Sequence, residues 1–468
     1  MKKTALFLPA LVLSALVSLN FISAPGAAPE TDQRGDSAML GRIYREALTN
    51  GKAYSQLGEL CAKYPKRLSG STGAAGAVEF CRKLMLDMKL DTVWLQPCMV
   101  PHWERGNAER GTIVSGKTNK PVKLCALGNS TATPAGGLLA QVVQVSTFEE
   151  LEKLGENGVK GRIVFFNHPF IDELLSPFDA YGEAARFRTR GPAAAQKLGA
   201  AGVLVRSMTH AHDNNPHTGN TRFDSLQPHI PSAALSTEAA DELSARLKTD
   251  PALRFKLELN CRQLPDVLSY NVIGELRGSE LPGEVIVLGG HLDAWDLGEG
   301  AHDDGAGCMQ AVEVLRIMKA LHYKPRRTIR VVLWMNEENG LRGGHAYANW
   351  AMKSPEKHIA AIESDAGGFS PRGFGISGSP TQTANFMRWK PLLENFAIGD
   401  LHTGGGGADI GPLDTLGTAL IGLEPDQQRY FDHHHAQTDV FGAVNRRELL
   451  LGAAGMCSLV WLIDKYGI

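Results

Sequence analysis

Apolar positions along this chain fall into two recurring patterns. Short continuous runs bounded by glycine or polar residues alternate with longer segments in which apolar residues return at three- and four-residue intervals. EVIVLGG (284–290) and TIRVVLWMN (328–336) are runs of the first kind and predict strands buried on both faces, as in a parallel sheet. Between them, GAGCMQAVEVLRIMKAL carries Ala311, Val312, Leu315, Ile317, Met318 and Leu321 at roughly helical spacing. The alternation continues, with a helix expected over LRGGHAYANWAMK, a strand over HIAAIESDAGG, a helix over 384–397 and a strand over TALIGLEP. A packing helix is expected over 446–466, with Leu449, Leu450, Met456, Leu459, Val460 and Leu462 on its apolar face. Toward the start, 37–49 and 74–90 predict helices, and the Gly/Ser-rich KYPKRLSGSTGAAG between them reads as a loop and helix cap, because it lacks a phosphate-cradle signature. DTVWLQPCMVPHWER (91–105) predicts a strand pair at the edge of the first domain. Strands and helices alternating in this way give an α/β fold with a mostly parallel sheet.

From about Leu124 the pattern changes. LLAQVVQVST, GRIVFFNH, AGVLVRSM and IPSAALST are short β-rich runs separated by Gly, Asn and Pro, with helices expected at 148–154 and 191–198. DVLSYNVIGELRG restarts the sheet pattern after Leu264. A β-rich module at 124–264 is thus expected to be inserted into an α/β domain made of 29–123 and 265–468.

Residues 1–28 have the form of a secretory leader, with Lys2 and Lys3 ahead of ALFLPALVLSALVSLNFI and then the small residues of SAPGAA. No cysteine follows the apolar part, so a lipid anchor is not expected, and no other run is long enough to span a bilayer. The reading is an exported protein, periplasmic or secreted, that leaves the membrane once the leader is removed. The balance of 48 Lys+Arg against 50 Asp+Glu gives a formal charge of −2 and recommends no nucleic-acid partner. The seven cysteines are scattered and odd in number; Cys81, Cys308 and Cys457 fall in expected helices as buried thiols, and one disulfide elsewhere stays open.

The chemistry concentrates at 289–338. GGHLDAWDLGEGAHDDGAG places His291, Asp293, Asp303 and Asp304 within fourteen residues, directly after one expected strand, and LWMNEENG places Glu337 and Glu338 at the end of the next. In open α/β sheets, ligands bind at the carboxyl ends of strands. Carboxylates gathered there repel one another and lose hydration, so a dense set calls for a cation. His291, Asp303, Glu338, Asp365 and one histidine of the triplet 433–435 are the chelating groups on offer. Side chains alternate along a strand, so of the adjacent Glu337 and Glu338 one can ligate while the other stands beside a water as proton acceptor. Asp293, two residues from His291, can accept from the imidazole's other N–H and fix its tautomer. By contrast, His210, His212 and His217 lack a carboxylate or cysteine framework and read as a polar loop.

These motifs, with ESDAGG and HHHAQTD, resemble the co-catalytic zinc exopeptidases of metallopeptidase clan MH. YGEAARFRTRGPAAAQKLGAAGVLVRS and NPHTG resemble the protease-associated (PA) domain that relatives carry as an insert. The resemblance implies a three-layer α/β/α domain with a PA insert and two Zn²⁺ per chain. It makes Asp303 the bridging ligand, with His291 and Asp365 completing one site and Glu338 and a triplet histidine the other. The family's ligand histidine lies four residues before an Asp, which selects His435 over His434 when counted from Asp439. Glu337 and Asp293 take the catalytic roles, a cis peptide is implied between Asp303 and Asp304, and a metal-bridged hydroxide is the nucleophile. Substrates would be dipeptides or short peptides with free termini, whether by aminopeptidase, carboxypeptidase or dipeptidase action. The glycine loop at 404–409, ending in Asp409, is a candidate for holding a free terminus, and Tyr181 and His217 for covering the cleft. A homodimer stays open, as do two rival readings: a metal-free binding module and a single-zinc glutaminyl cyclase.

Overall fold

A computed structural model describes residues 32–116, 118–223 and 228–468; the expected leader lies outside the described residues. Two eight-stranded sheets organise the chain. In the first, the order is Thr92–Glu104, Arg262–Leu276, Arg327–Trp334, Leu281–His291, Lys357–Glu363, Ala419–Pro425, Pro371–Ser377 and Asp400–Thr403. The four strands from Arg327–Trp334 to Ala419–Pro425 run parallel, and antiparallel pairings flank them on both sides.

Alternation along Leu281–His291 explains the layering. Ile286 and Leu288 face one core, built with the helices Ala306–Ala320 and Arg446–Tyr466, whereas Val285 and Val287 face another, with Tyr347 and Ala348 of Arg342–Ala351. Both faces are therefore covered, as a parallel sheet requires. Arg446–Tyr466 is the one helix among the described residues long and apolar enough to cross a membrane, but 83% of its apolar window is buried, which makes it a core helix.

The second sheet has the order Thr118–Val122, Glu109–Ser115, Arg254–Leu259, Leu138–Val145, Ile163–Phe166, Gly202–Arg206, Ser232–Leu235 and Leu124–Ala126. Its strands from Leu138–Val145 to Ser232–Leu235 are parallel, with helices Phe148–Val159, Pro177–Thr189, Gly191–Lys197 and Thr237–Thr249 between or after them.

Three expectations are corrected. The second module does not begin at 124: Glu109–Ser115 and Thr118–Val122 already belong to its sheet, so the chain changes sheets after Glu104 and returns at Arg262. These are polar strands at the sheet's margin and carry little apolar signal. Where a strand pair was expected over 91–105, Thr92–Glu104 forms a single strand whose partner is Arg262–Leu276, from Thr92↔Glu275 to Glu104↔Arg262. Pro97 and Pro101 lie within it, and an edge strand tolerates the missing donors. The helix expected over 384–397 starts earlier and is interrupted, as Pro380–Met387, Lys390–Leu393 and a 3₁₀ turn Glu394–Phe396. All seven cysteines are free and buried, so the open question of a disulfide closes without one.

Candidate functional site

Parallel strands deliver the polar groups to one edge of the first sheet. His291 is the last residue of its strand; Glu337 and Glu338 follow Arg327–Trp334, and Asp365 follows Lys357–Glu363. His434 and His435 lie beyond Ala419–Pro425, and Asp303 sits in the turn that leads into Ala306–Ala320.

Asp303 stands at the centre. Its Oδ1 is 3.1 Å from His291 Nε2, and its Oδ2 is 3.4 Å from His435 Nε2. Each imidazole meets a second carboxylate: Asp365 Oδ1 lies 3.5 Å from His291 Nε2, and Glu338 Oε2 lies 3.0 Å from His435 Nε2. His434 is farther from Asp303, with Nε2 3.8 Å from Oδ2, and its ring stacks on His435 with centroids 3.6 Å apart. The Asp303–Asp304 peptide is cis.

Hydrogen bonding fixes the ligand atoms. His291 Nδ1 donates to the backbone carbonyl of Asp293 at 2.9 Å, and His435 Nδ1 to that of Thr218 at 3.2 Å, so each ring turns an Nε2 lone pair toward the carboxylates. This corrects the expected role of Asp293. Its carboxylate is 3.9 Å from His291 Nδ1, and its Oδ1 instead accepts from Asn336 N at 2.6 Å and Glu337 N at 3.1 Å. The nearer backbone carbonyl takes the imidazole proton, and the side chain holds the loop that carries Glu337.

Sequence reasoning missed several supports. Arg67, fully buried, donates to the carbonyls of Leu292, Glu299 and Gly300, pinning both ends of the loop between His291 and Asp303. Asp439 accepts from His302 N at 2.6 Å and Asp303 N at 3.2 Å. Asp304 accepts from His291 N at 3.0 Å and Gly307 N at 3.0 Å. Nothing in the residue types announces these bonds, because their partners are backbone groups brought together by the fold.

The electrostatics are unbalanced. Burial pushes the Glu337 carboxyl up to about 8, with Asp365, Asp293 and Asp303 adding to the rise and His291 opposing it. Glu338 is driven well above the usual carboxylate range by burial and the charge of Asp303. Burial holds His435 well below its ordinary value and therefore neutral. Asp365 Oδ1 is buried without a hydrogen-bond partner among the described residues. Against burial, Asp365 and Asp303 pull His291 well above its ordinary value, so the imidazole and carboxylate atoms that face one another at 3.0–3.5 Å require positive charge between them, a proton or a cation. Two three-residue groups, His291–Asp303–Asp365 and Asp303–His434–His435, each bring ligand atoms within 4.8 Å of one another, and Glu338 reaches into the second. Imidazole and carboxylate donors in two adjoining groups make this a di-zinc centre. A cavity of about 610 Å³ opens over it, walled on the far side by Tyr181, Arg188, Asn220 and Arg222 from the second sheet's side. His217 is buried against the His434 carbonyl and does not line that cavity. Asp409, also buried, lies outside the cavity lining.

Comparison with known proteins bears on this geometry. The sequence pattern of peptidase family M28 matches residues 271–457. Carboxypeptidase Q of Xenopus laevis is 34% identical over 415 residues, covering 89% of this chain and 85% of that protein. Carboxypeptidase Q of Homo sapiens is 32% identical over 424 residues, covering 91% and 86%. The crystal structure of a peptidase M28 precursor from Shewanella amazonensis superposes with a TM-score of 0.88 at 32% identity, covering 92% of this chain and 97% of that one.

Proposed function

The chain belongs to peptidase family M28 and is a zinc-dependent exopeptidase, and from that premise we propose which residues act, and on what. His291, Asp303 and Asp365 would hold one cation, and Asp303, Glu338 and His435 the other. The observation that carries this is Asp303 itself, whose two oxygens each face a different imidazole Nε2. When bound, the two cations supply Lewis acidity, polarising a carbonyl oxygen and making a water acidic near neutral pH.

The chain's own groups do the rest. Glu337, on the cavity wall, accepts the proton of the attacking water and returns it to the leaving amine nitrogen. Asp293 holds the Glu337 backbone in place for that transfer. Tyr181, Arg188, Asn220 and Arg222 close the opposite wall and limit the space to a short peptide. The substrates are dipeptides or short peptides with free termini; the relatives' name, carboxypeptidase Q, supports a small peptide. The second sheet with its helices is read as the PA domain, and residues 1–28 as a leader that sends the protein out of the cytoplasm.

The test is metal content of the purified chain together with turnover of a dipeptide panel, before and after chelation. Two zinc ions per chain and hydrolysis that chelation abolishes and zinc restores are expected. A metal-free chain, or one ion with ring closure of an N-terminal glutamine, would overturn the reading.

A further inference from the structure

The two imidazoles are oriented by different parts of the molecule. His291 gives its Nδ1 proton to Asp293, two residues along the same loop. His435 gives its proton to Thr218, which the chain reaches from the second sheet. The tie at His435 is reciprocal, since Thr218 N also donates to the His435 carbonyl at 2.9 Å. One residue back, His217 Nδ1 donates to the His434 carbonyl at 2.7 Å. Residues 217 and 218 thus pair with 434 and 435 through three hydrogen bonds.

The segment is itself held from behind by the second sheet. His217 N donates to Ser207 Oγ at 2.9 Å, and Thr218 Oγ1 donates to the Ala126 carbonyl at 2.8 Å. Arg188, on helix Pro177–Thr189, donates to the same Thr218 carbonyl at 3.3 Å and to Tyr181 Oη at 2.6 Å. Its guanidinium lies over Gly219, where φ is +138° and an added Cβ would come within 2.4 Å of Arg188 Cζ. On the other side of the tie, His435 has φ +61°, a conformation that a non-glycine residue keeps only when its surroundings hold it.

We propose that residues 217–219, backed by Arg188, are a positioning device contributed by the second sheet, which sets the ring and backbone of His435 and thereby the affinity of one cation site alone. The site of Asp303, Glu338 and His435 depends on this segment, whereas the site of His291, Asp303 and Asp365 is assembled by the first sheet's own loops. The inference rests on the ligand assignment proposed above. It gives the second sheet a part in building the metal centre, beyond walling the cavity.

Zinc per chain, measured after dialysis against a weak competing chelator, tests it, with circular dichroism to show that each variant is folded. Arg188→Met, His217→Ala and Gly219→Ala lie on different elements or touch different bonds, so a folding failure in one leaves the others. Each is expected to hold one zinc firmly and the second about 10–100-fold more weakly, the usual effect of removing a ligand's supporting partner. Arg188→Lys, which keeps a donor for the Thr218 carbonyl, should recover most of the second ion. Folded variants that keep both ions at wild-type affinity overturn the proposal, as does equal weakening of both sites. A wild-type chain that binds no zinc overturns the ligand assignment, and this proposal with it.

Discussion

At the middle of strand Arg327–Trp334, Arg330 lies buried, with Nε 2.9 Å from Glu275 and both terminal nitrogens forked onto Glu356 at 2.8 and 2.9 Å. Its guanidinium is packed near the rings of Trp94 and Trp350, 5.3 and 5.0 Å from their centroids. Just past the end of the same strand come Glu337 and Glu338, in a group where carboxylates face imidazoles with no Lys or Arg ion pair among the described residues. Both regions bury charge on one sheet. In the first, one guanidinium lies between two carboxylates and is forked onto one of them, and the group holds the fold together. In the second, the protein supplies lone pairs and leaves the positive charge to be supplied from outside. A buried cluster of carboxylates and imidazoles, held rigid by Arg67, Asp439 and Asp304, therefore marks chemistry, while one built around the protein's own buried cation marks structure.

The difference can be broken from either side. Asp303→Ala removes the carboxylate shared by both groups; zinc should fall from two ions to none and dipeptide hydrolysis to background, and a variant retaining two ions would contradict the bridging role. Glu337→Gln should keep both ions and lower kcat about 10³-fold, roughly 4 kcal/mol, because in the proposed mechanism it removes only the proton acceptor. Wild-type turnover in that variant would reject the assignment. Arg330→Met leaves two glutamates without their cation and should cost about 3 kcal/mol in denaturant unfolding, the lower end for a broken buried pair because both glutamates keep some water. Its zinc content should stay at two. Zinc itself should stabilise the wild type by about 2.7 kcal/mol for each site held at a hundredfold excess over its Kd, and Asp303→Ala by nothing. Thermal melts with and without added zinc measure this.

Much of the candidate site was legible in the sequence, since His291, Glu337, Glu338 and Asp365 stand where continuous apolar runs stop, and that position is itself a statement about sheet ends. Asp303 and the histidine triplet joined them because their residue types offer lone pairs. The groups that hold these side chains in place were not legible. Asp293 holds backbone amides and leaves the imidazole to its own carbonyl, and Thr218 works through its carbonyl and amide, so neither role depends on a side chain that a sequence displays. The start of the second sheet was missed for a related reason, since ERGTIVS and TNKPV are polar strands whose pairing is decided by Arg254–Leu259, far along the chain.

The seven enclosed thiols turn the chain into its own gauge of opening. Burial pushes Cys61, Cys81, Cys98 and Cys261 up to about 12, so at neutral pH scarcely any sulfur is nucleophilic, and none lies on the surface. A maleimide should then count zero adducts on the native protein and seven after complete unfolding, with intermediate numbers naming whichever sheet lets go first. Since no covalent bridge fastens either sheet, adding a reductant should leave the melting curve where it was.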